Sequence, residues 1–162
     1  SLRLTTAGDG TLTATSGTLT STSSSFMVTP AAARGVAFVS QPTSAIAGTT
    51  LTPAVQVKVV DAFGNGVPGI AVSLGVIGGG TLLGGAALTS GADGLVTFAN
   101  LSVDLAGNHT LATVSTGLPI VTSATFTISP ASARSLAFTT QPTNVAAGAT
   151  LAPAVQIGRA HV

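Results

Sequence analysis

Residues 34–56 read RGVAFVSQPTSAIAGTTLTPAVQ, and residues 134–156 read RSLAFTTQPTNVAAGATLAPAVQ. Fourteen of the 23 aligned positions are identical, and each is separated from its partner by 100 residues. A period of this length is typical of a whole small domain rather than of one turn of a solenoid. The sequence therefore predicts a fragment of a tandem array.

The repeat sets the predicted domain boundaries. Residues 1–33 are expected to form the C-terminal strands of a preceding module, residues 34–133 a complete module, and residues 134–156 the first strands of a following module. Pro30 and Pro130 stand at equivalent places before the connections, where proline ends a strand because its φ is fixed and it has no N–H. Such short connections leave little slack, so we expect a rod of modules in series.

The last six residues depart from the repeat. After residue 56 the first copy continues as Val-Lys-Val-Val-Asp, whereas residues 157–162 read IGRAHV. This hexapeptide is the translation of a common short-read sequencing adapter (ATCGGAAGAGCACACGTC). We therefore predict that residues 157–162 are not natural protein sequence.

The composition predicts an all-β fold. The chain has no Glu and only 6% charged residues, and its abundant Thr, Val and Gly favour strands and turns over helices. Apolar and polar residues alternate along the predicted strands. In residues 55–59, for example, Val55, Val57 and Val59 are expected inside, while Gln56 and Lys58 face water. About seven to nine short strands separated by turns indicate a β-sandwich. A module of about 100 residues buries an adequate core without disulfides.

Several segments carry specific expectations. Asn65 and Gly66 are predicted to take positive φ in the turn at residues 61–69. Residues 70–88 are uncharged, but six glycines interrupt them, which favours two buried strands joined by a Gly-rich loop over a membrane span. The Ser/Thr run at residues 21–25 is predicted to be a hairpin loop. In the last strand of the module, three residues are expected to face inward: Ala124, Phe126 and Ile128.

Three motifs resemble a bacterial immunoglobulin-like domain of the kind found in invasin and intimin adhesins. They are VQVKVVDAFGNGVPGIAVSL (residues 55–74), TSGADGLVTFANL (89–101) and AGNHTLATV (106–114). The resemblance implies an immunoglobulin-like β-sandwich repeated in series as the stalk of a cell-surface or secreted protein. His109 departs from the resemblance, because such modules commonly carry an aromatic residue such as Tyr there. That departure, with Gly10 at the equivalent place, puts a tyrosine-corner hydrogen bond in doubt.

The four aspartates raise the possibility of a calcium site, which needs several oxygen ligands. They are scattered along the chain, and none lies in the connection at residues 130–134. Asp61 and Asp93 each stand at a predicted turn, where a carboxylate accepts hydrogen bonds from backbone N–H groups. We predict turn capping and no metal site, with calcium binding as the alternative.

Histidine chemistry has two candidates, His109 on a predicted strand and His161 in the suspect tail. A zinc site needs three or four neighbouring ligands, so a structural or surface histidine is the expectation. The chain has no Cys or Glu, and its Ser and Thr residues lack a base and an orienting acid. The triple glycine at residues 78–80 is not followed by the Lys-Ser/Thr of a phosphate loop. We predict no catalytic residue, no cofactor and no enzymatic activity.

Phenylalanine supplies all the aromatic residues, since the chain has no Trp or Tyr on which a sugar would stack. The six Phe residues fall mostly at inward strand positions, which indicates core packing. Phe63 lies instead in the turn at residues 61–69. It either folds back over the end of the core or forms an exposed contact, and the sequence leaves both open.

These features together favour a structural role. A net charge of +1, spread thinly, gives no footprint for nucleic acid or an anionic membrane. The resemblance implies a spacer in a bacterial cell-surface or secreted adhesin-type protein that holds a distal domain away from the cell. Its expected partners are neighbouring repeats in the same chain, with host or cell-surface ligands bound through other domains. The alternative is that the repeats themselves are an adhesive or glycan-binding module.

Overall fold

The structure of the protein, a computed structural model, describes residues 1–133 and 135–160. Within these ranges every regular element is a β-strand, and the predicted all-β fold is confirmed. Arg134, with which the third module was expected to begin, and His161 lie outside the described residues.

The strands fall into three groups along the chain. Four strands come first: β1 (Gly8–Gly10), β2 (Thr13–Ser16), β3 (Leu19–Thr22) and β4 (Phe26–Val28). The central group is β5 (Gly35–Ser40), β6 (Ala45–Ile46), β7 (Val55–Val60), β8 (Ala71–Ile77), β9 (Leu82–Leu83), β10 (Leu88–Thr89), β11 (Leu95–Phe98), β12 (Ser102–Val103), β13 (Gly107–Val114) and β14 (Phe126–Ser129). The last two are β15 (Ser135–Thr140) and β16 (Gln156–Ala160). The central group exceeds the expected number of strands because four of its members are only two residues long.

The central group folds as a β-sandwich, as predicted. One sheet has the order β10-β8-β13-β14-β6, with β6 parallel to β14 and the other neighbours antiparallel. The other sheet has the order β11-β7-β5 and is antiparallel throughout. Both sheets contribute apolar side chains to the core: Val36, Val55, Val57, Val59, Val96 and Phe98 from one, and Val72, Leu74, Leu111, Phe126 and Ile128 from the other. Leu51, Val67, Leu101 and Val103, which lie outside these two sheets, complete it. Burial of this apolar surface is the main force that holds the two sheets together.

The alternation along β7 is confirmed on its inner face. Val55, Val57 and Val59 are fully buried. Gln56 and Lys58 are half-buried rather than fully solvated, and the Gln56 side-chain amide donates to Oγ1 of Thr97 on the neighbouring β11 (3.1 Å). The outer face of this sheet is therefore partly covered by its own polar side chains.

The first four strands repeat the end of the central group. β1 and β4 pair Gly8 with Val28, just as β13 and β14 pair Gly107 with Ile128. Ser23 Oγ accepts the N–H of Leu12 (2.9 Å) and donates to the carbonyl of Ser24. The counterparts of these three residues, which are Ser123, Leu111 and Ala124, form the same bonds. The sequence repeat is therefore matched by register and by hydrogen bonding.

The last two strands repeat β5 and β7. Phe138 pairs with Ile157 as Phe38 pairs with Val57, and both pairs of strands contain the same irregularity two residues further on. β16 continues as a strand to Ala160, so the backbone does not break where the sequence pattern does. Phe138 was expected inside but is 54% exposed, because β15 and β16 pair only with each other. The module boundaries and the origin of residues 157–162 stay predictions.

The predicted alternation of side chains before β14 was wrong. Ser123 is buried and Ala124 is exposed, the reverse of the predicted alternation, while Phe126 and Ile128 point inward as expected. The reversal arises because the Ser123 hydroxyl accepts the N–H of Leu111, so a side chain replaces a backbone acceptor before β14 begins. The irregular step shifts the two-residue alternation by one residue.

The Ser/Thr run at residues 21–25 is not the hairpin loop. The turn lies earlier, at Gly17 with a φ of 60°, and residues 21 and 22 belong to β3. A glycine takes this left-handed conformation without the Cβ penalty that the serines would carry. In the same way, residues 70–88 contain one long strand with a buried face, β8, and two short strands in different sheets, rather than two buried strands.

Candidate functional site

The loop at residues 61–69, between β7 and β8, is built around the carboxylate of Asp61. Its Oδ1 accepts the N–H groups of Phe63 (2.8 Å) and Asn65 (2.9 Å), and the Asp61 N–H donates to the carbonyl of Asn65 (3.0 Å). Positive φ angles occur at Gly64 (86°) and Gly69 (79°), not at the predicted pair of residues 65 and 66. Because Asp61 fixes the turn with its side chain, Asn65 keeps an ordinary backbone conformation.

Gly66 is needed for close packing instead. A Cβ at this position would overlap the carbonyl of Asp93 and lie 2.9 Å from the N–H nitrogen of Gly94. Val59 bonds both the turn at residues 91–94 and the loop at residues 61–69. Its N–H donates to the carbonyl of Gly94 (2.8 Å), and its carbonyl accepts the N–H of Val67 (3.0 Å). The loop and the turn at residues 91–94 therefore form one interlocked end of the sandwich.

This end of the sandwich contacts the segment that precedes it. We call the contact the joint, formed by residues 3–7 and 30–31 on one side and residues 61–66 on the other. The Ala31 N–H donates to Oδ2 of Asp61 (2.9 Å). The side-chain amide of Asn65 bonds residues 5 and 7 through both its oxygen and its nitrogen.

The amide of Asn65 is the centre of the joint. Its Nδ2 donates to the carbonyl of Thr5 (2.8 Å), and its Oδ1 accepts the N–H of Ala7 (2.9 Å). Nδ2 also donates to Oδ2 of Asp61 (2.8 Å), which orients the amide so that both ends reach the chain segment beyond. A single Asn thus bonds one donor and one acceptor of the main chain of residues 5–7.

The ionisation of Asp61 is set by the joint. Its side chain is only 4% exposed, and desolvation by itself opposes the charged form. Hydrogen bonds from the Asn65 side chain and from the N–H groups of Ala31, Phe63 and Asn65 outweigh that effect and lower the pKa of the Asp61 carboxyl to about 2. The carboxylate is therefore charged throughout the physiological range and holds all four donors.

Phe63 occupies the outer edge of the joint. Its side chain is 46% exposed, and the guanidinium of Arg3 lies 5.0 Å from the centre of its ring. A cation at this distance from an aromatic ring is attracted by the electron density on the ring face. Of the two placements left open by the sequence, the structure therefore has the exposed contact.

Two of the other three aspartates also accept hydrogen bonds from backbone N–H groups. Asp93 Oδ1 accepts the N–H of Leu95 (3.0 Å), which is the predicted turn capping. Asp104 Oδ1 accepts the N–H of Thr81 (2.6 Å), and this bond together with one from the Thr81 side chain lowers the pKa of the Asp104 carboxyl. Across residues 1–133 and 135–160 no three His, Cys, Asp or Glu side chains lie together in a metal-binding group.

His109 is a core histidine on β13. It is 1% exposed, and its ring lies 6.0 Å from that of Phe126. Its Nε2 lies 2.9 Å from the carbonyl of Leu105, which can only accept, so Nε2 carries the proton. Here the imidazole bonds the backbone four residues upstream, in the way a tyrosine hydroxyl does in other sandwich domains. No tyrosine forms this bond here, and the imidazole of His109 forms it instead. Of the structural and surface placements predicted for His109, the structure has the structural one.

The joint borders an open cleft of about 410 Å³. Residues from both sides of the joint line it, among them Met27, Pro30, Lys58, Asn65 and Asp93. Lys58 is thus placed beside the connection at residues 30–31, although it belongs to the outer face of β7. An open space therefore lies between part of the preceding segment and the central sandwich, beside the hydrogen bonds of the joint.

Sequence reasoning found Asp61 and Phe63 but missed the role of Asn65. It treated Asn65 only as a turn residue. The groups that Asn65 bonds are a carbonyl and an N–H in residues 5 and 7, and main-chain groups have no signature in the sequence. The one available signal was an Asp and an Asn four residues apart in a loop that must lie near the preceding connection.

Comparison with known proteins adds little to this picture. No family model matches the chain, and no curated protein matches it. Among solved structures, a β-glucuronidase from Parabacteroides merdae shares 22% identity with a TM-score of 0.38 over 59% of this chain and 12% of its own length. Domains 4–9 of the surface layer protein SbsC share 17% identity with a TM-score of 0.41 over 96% of this chain and 24% of that one.

The chain thus spans only a small part of each of these proteins. At this level of identity and superposition, neither likeness contributes to the argument on function. In the described ranges there is also no helix with the length and hydropathy needed to cross a lipid bilayer.

Proposed function

We propose that the chain is a structural spacer, a run of immunoglobulin-like modules from a bacterial cell-surface or secreted adhesin-type protein, which holds a distal domain away from the cell. The observation that carries the proposal is the joint. Asp61 and Asn65 form three hydrogen bonds to the segment before the central sandwich. Consecutive modules are then held by direct contact as well as by the short connection, which is what a spacer requires.

The proposal assigns no catalytic role to this chain. Three of the four aspartates, Asp61, Asp93 and Asp104, each accept backbone N–H groups, and His109 is buried in the core. A general acid or base has to reach a substrate proton. The proposal also assigns adhesion to domains other than these repeats.

The spacer proposal is tested by measuring how far each module moves the tip domain from the membrane. We would place the chain on a bacterial surface between an anchor and a tip domain of known ligand, with one, two or three copies of residues 34–133. The longest strand of the central module has eight residues, which at about 3.4 Å per residue gives a minimum of about 27 Å per module. The distance from tip to membrane, measured by fluorescence, is expected to grow by at least this amount for each copy.

The alternative, an adhesive or glycan-binding module, is tested with the same material. The purified chain without a tip domain is applied to host cells and to a glycan array. Binding by the chain alone would contradict the spacer proposal, and so would a tip distance that does not grow with the number of copies.

A further inference from the structure

Asn65 and Gly66 form the only Asn-Gly pair in the sequence. Asn is one of the thermally labile residues of proteins, because the main-chain nitrogen of the next residue can attack the carbon of its side-chain amide. A succinimide ring then forms, ammonia leaves, and water opens the ring to aspartate or isoaspartate. A following glycine favours this attack, since it has no side chain to obstruct the approach. The pair that is most prone to this reaction thus lies at the centre of the joint.

The main-chain nitrogen of Gly66 is free to react. Within residues 1–133 and 135–160 its N–H has no hydrogen-bond acceptor. The two bonds of the bridge at this position are donated by the N–H groups of Asp61 and Val67 instead. Gly66 also lines the open cleft beside the joint, so solvent can supply the hydroxide that removes the proton from this nitrogen.

The joint protects the amide that would be attacked. Its oxygen accepts the N–H of Ala7 (2.9 Å), and its nitrogen donates to the carbonyl of Thr5 and to Oδ2 of Asp61 (2.8 Å each). Attack makes the planar amide carbon tetrahedral and expels its nitrogen, so these three bonds have to break. They therefore stabilise the unreacted amide, and opening of the joint limits the rate of the reaction.

We propose that Asn65 is a site of spontaneous deamidation, that the closed joint suppresses the reaction, and that the product disconnects the preceding segment from the central sandwich. The deprotonated nitrogen of Gly66 forms a bond to the amide carbon of Asn65, and the amide nitrogen takes a proton from water and leaves as ammonia. Water then adds to one of the two ring carbonyl carbons and breaks the bond from that carbon to the Gly66 nitrogen, which takes up a proton. The net change is the replacement of an amide NH₂ by OH, without an oxidant or a reductant.

The product cannot form the joint. A carboxylate at position 65 has no hydrogen to donate to the carbonyl of Thr5, and it places a negative oxygen where the amide nitrogen lay 2.8 Å from Oδ2 of Asp61. Two carboxylates this close repel each other. In the isoaspartate product the main chain is also one carbon longer before Gly66, where even a Cβ would overlap the carbonyl of Asp93. Deamidation therefore opens the joint irreversibly.

The inference goes beyond the proposed function, because it assigns to the joint a covalent change with time. It depends on the contacts of Asn65 and not on the role of the chain as a spacer. Each closed joint would survive for as long as its hydrogen bonds restrain the amide, and a joint that is pulled open would age faster.

The first part of the test measures the rate of the reaction. The full chain is kept at mildly alkaline pH, and peptide mass spectrometry follows the replacement of NH₂ by OH at Asn65. Ala7→Pro removes the N–H that the Asn65 oxygen accepts, and Ala7→Ser is the matched control that keeps it. Loss of this one bond is expected to raise the rate roughly tenfold in Ala7→Pro, whereas Ala7→Ser should react as wild type does. Should Ala7→Pro not fold, sub-denaturing urea takes its place, and amide exchange at Ala7 measures by NMR how far the joint opens.

The second part measures the consequence for the joint. Amide exchange at Ala7 and Ala31 is compared in fresh wild type, aged wild type and Asn65→Asp, which reproduces one product. Asn144→Asp is the control, since it makes the same change of charge at an exposed loop Asn. We expect exchange at both amides to rise roughly tenfold in aged wild type and in Asn65→Asp, and to stay unchanged in Asn144→Asp.

Three results would overturn the inference: an Asn65 that does not deamidate, a rate that is the same with the joint closed and opened, or deamidated protein in which Ala7 and Ala31 keep their protection. None of these results alters the expected tip distance of the preceding experiment, so the two proposals fail separately.

Discussion

A methyl group added at Gly66 tests how the loop at residues 61–69 packs against the turn at residues 91–94. In Gly66→Ala the new Cβ overlaps the carbonyl carbon and oxygen of Asp93 and lies 2.9 Å from the nitrogen of Gly94. All three are main-chain atoms, which cannot rotate away as a flexible side chain does. Gly66 is not among the glycines with positive φ, so alanine meets no conformational penalty of its own. The cost is therefore steric.

The structure sets the size of the effect. Extra methylene groups in a packed interior cost about 1–3 kcal/mol when side chains yield. Here the turn itself has to move, and it carries the hydrogen bond from the Val59 N–H to the carbonyl of Gly94 (2.8 Å). We therefore expect Gly66→Ala to lower the free energy of unfolding by about 3 kcal/mol, the upper end of that range. For a domain of about 100 residues each kcal/mol shifts the Tm by about 4–8 °C, so the Tm should fall by about 12–24 °C.

Gly75→Ala is the matched control for this experiment. Gly75 lies on β8 with an ordinary φ, and a Cβ there has no heavy atom within 4 Å. Alanine should change stability by no more than about 1 kcal/mol, and it can stabilise by restricting the unfolded chain. Both variants are unfolded by heat and by urea. If Gly66→Ala and Gly75→Ala melt within a few degrees of each other, the interlocked arrangement of the two loops is wrong.

Three further substitutions probe the joint and the core. The pKa of Asp61 is lowered to about 2 from an ordinary value of 3.8, so the charged carboxylate stabilises the fold above that ordinary value, and this stabilisation is lost as the pH falls towards 2. In urea unfolding, the stabilities of wild type and Asp61→Asn should therefore differ most near pH 7 and converge near pH 2. A difference that stays constant with pH would contradict this role of Asp61. Val57→Asp places an unpaired charge in the core and should leave the central module unfolded by circular dichroism, whereas Lys58→Thr on the other face should melt close to wild type. Ser123→Ala leaves the buried N–H of Leu111 without its acceptor and should cost about 1–3 kcal/mol in chemical unfolding; a loss near zero would mean that water reaches this N–H.

The sandwich was predictable because its signals are local and regular. Val55, Val57 and Val59 alternate with polar residues on one strand, and this pattern alone defines the buried face. The turn at Asp93 was also placed correctly, since Asp-Gly is a strong turn signal next to alternating Val and Phe.

Two of the errors arose where a side chain takes the place of a backbone partner. At Ser123 a hydroxyl accepts a strand N–H and shifts the alternation by one residue. At Asp61 a carboxylate fixes the loop, so Gly64 rather than Asn65 adopts the positive φ. The joint itself could not be derived from sequence, because Asn65 bonds main-chain groups 58 to 60 residues away, and every residue except proline carries both kinds of group.

The receiving side of the joint has an evolutionary consequence. The hydrogen bonds that Asp61 and Asn65 form with the preceding segment go to main-chain atoms of Thr5, Ala7 and Ala31. Mutation can therefore change the side chains of the receiving segment without altering the hydrogen bonds that join it to the next repeat. In the array that we propose, unequal recombination between copies would change the number of repeats, because each new junction would bring together the same backbone and the same loop. Length then becomes a trait that selection can adjust by whole repeats, with no new interface to evolve.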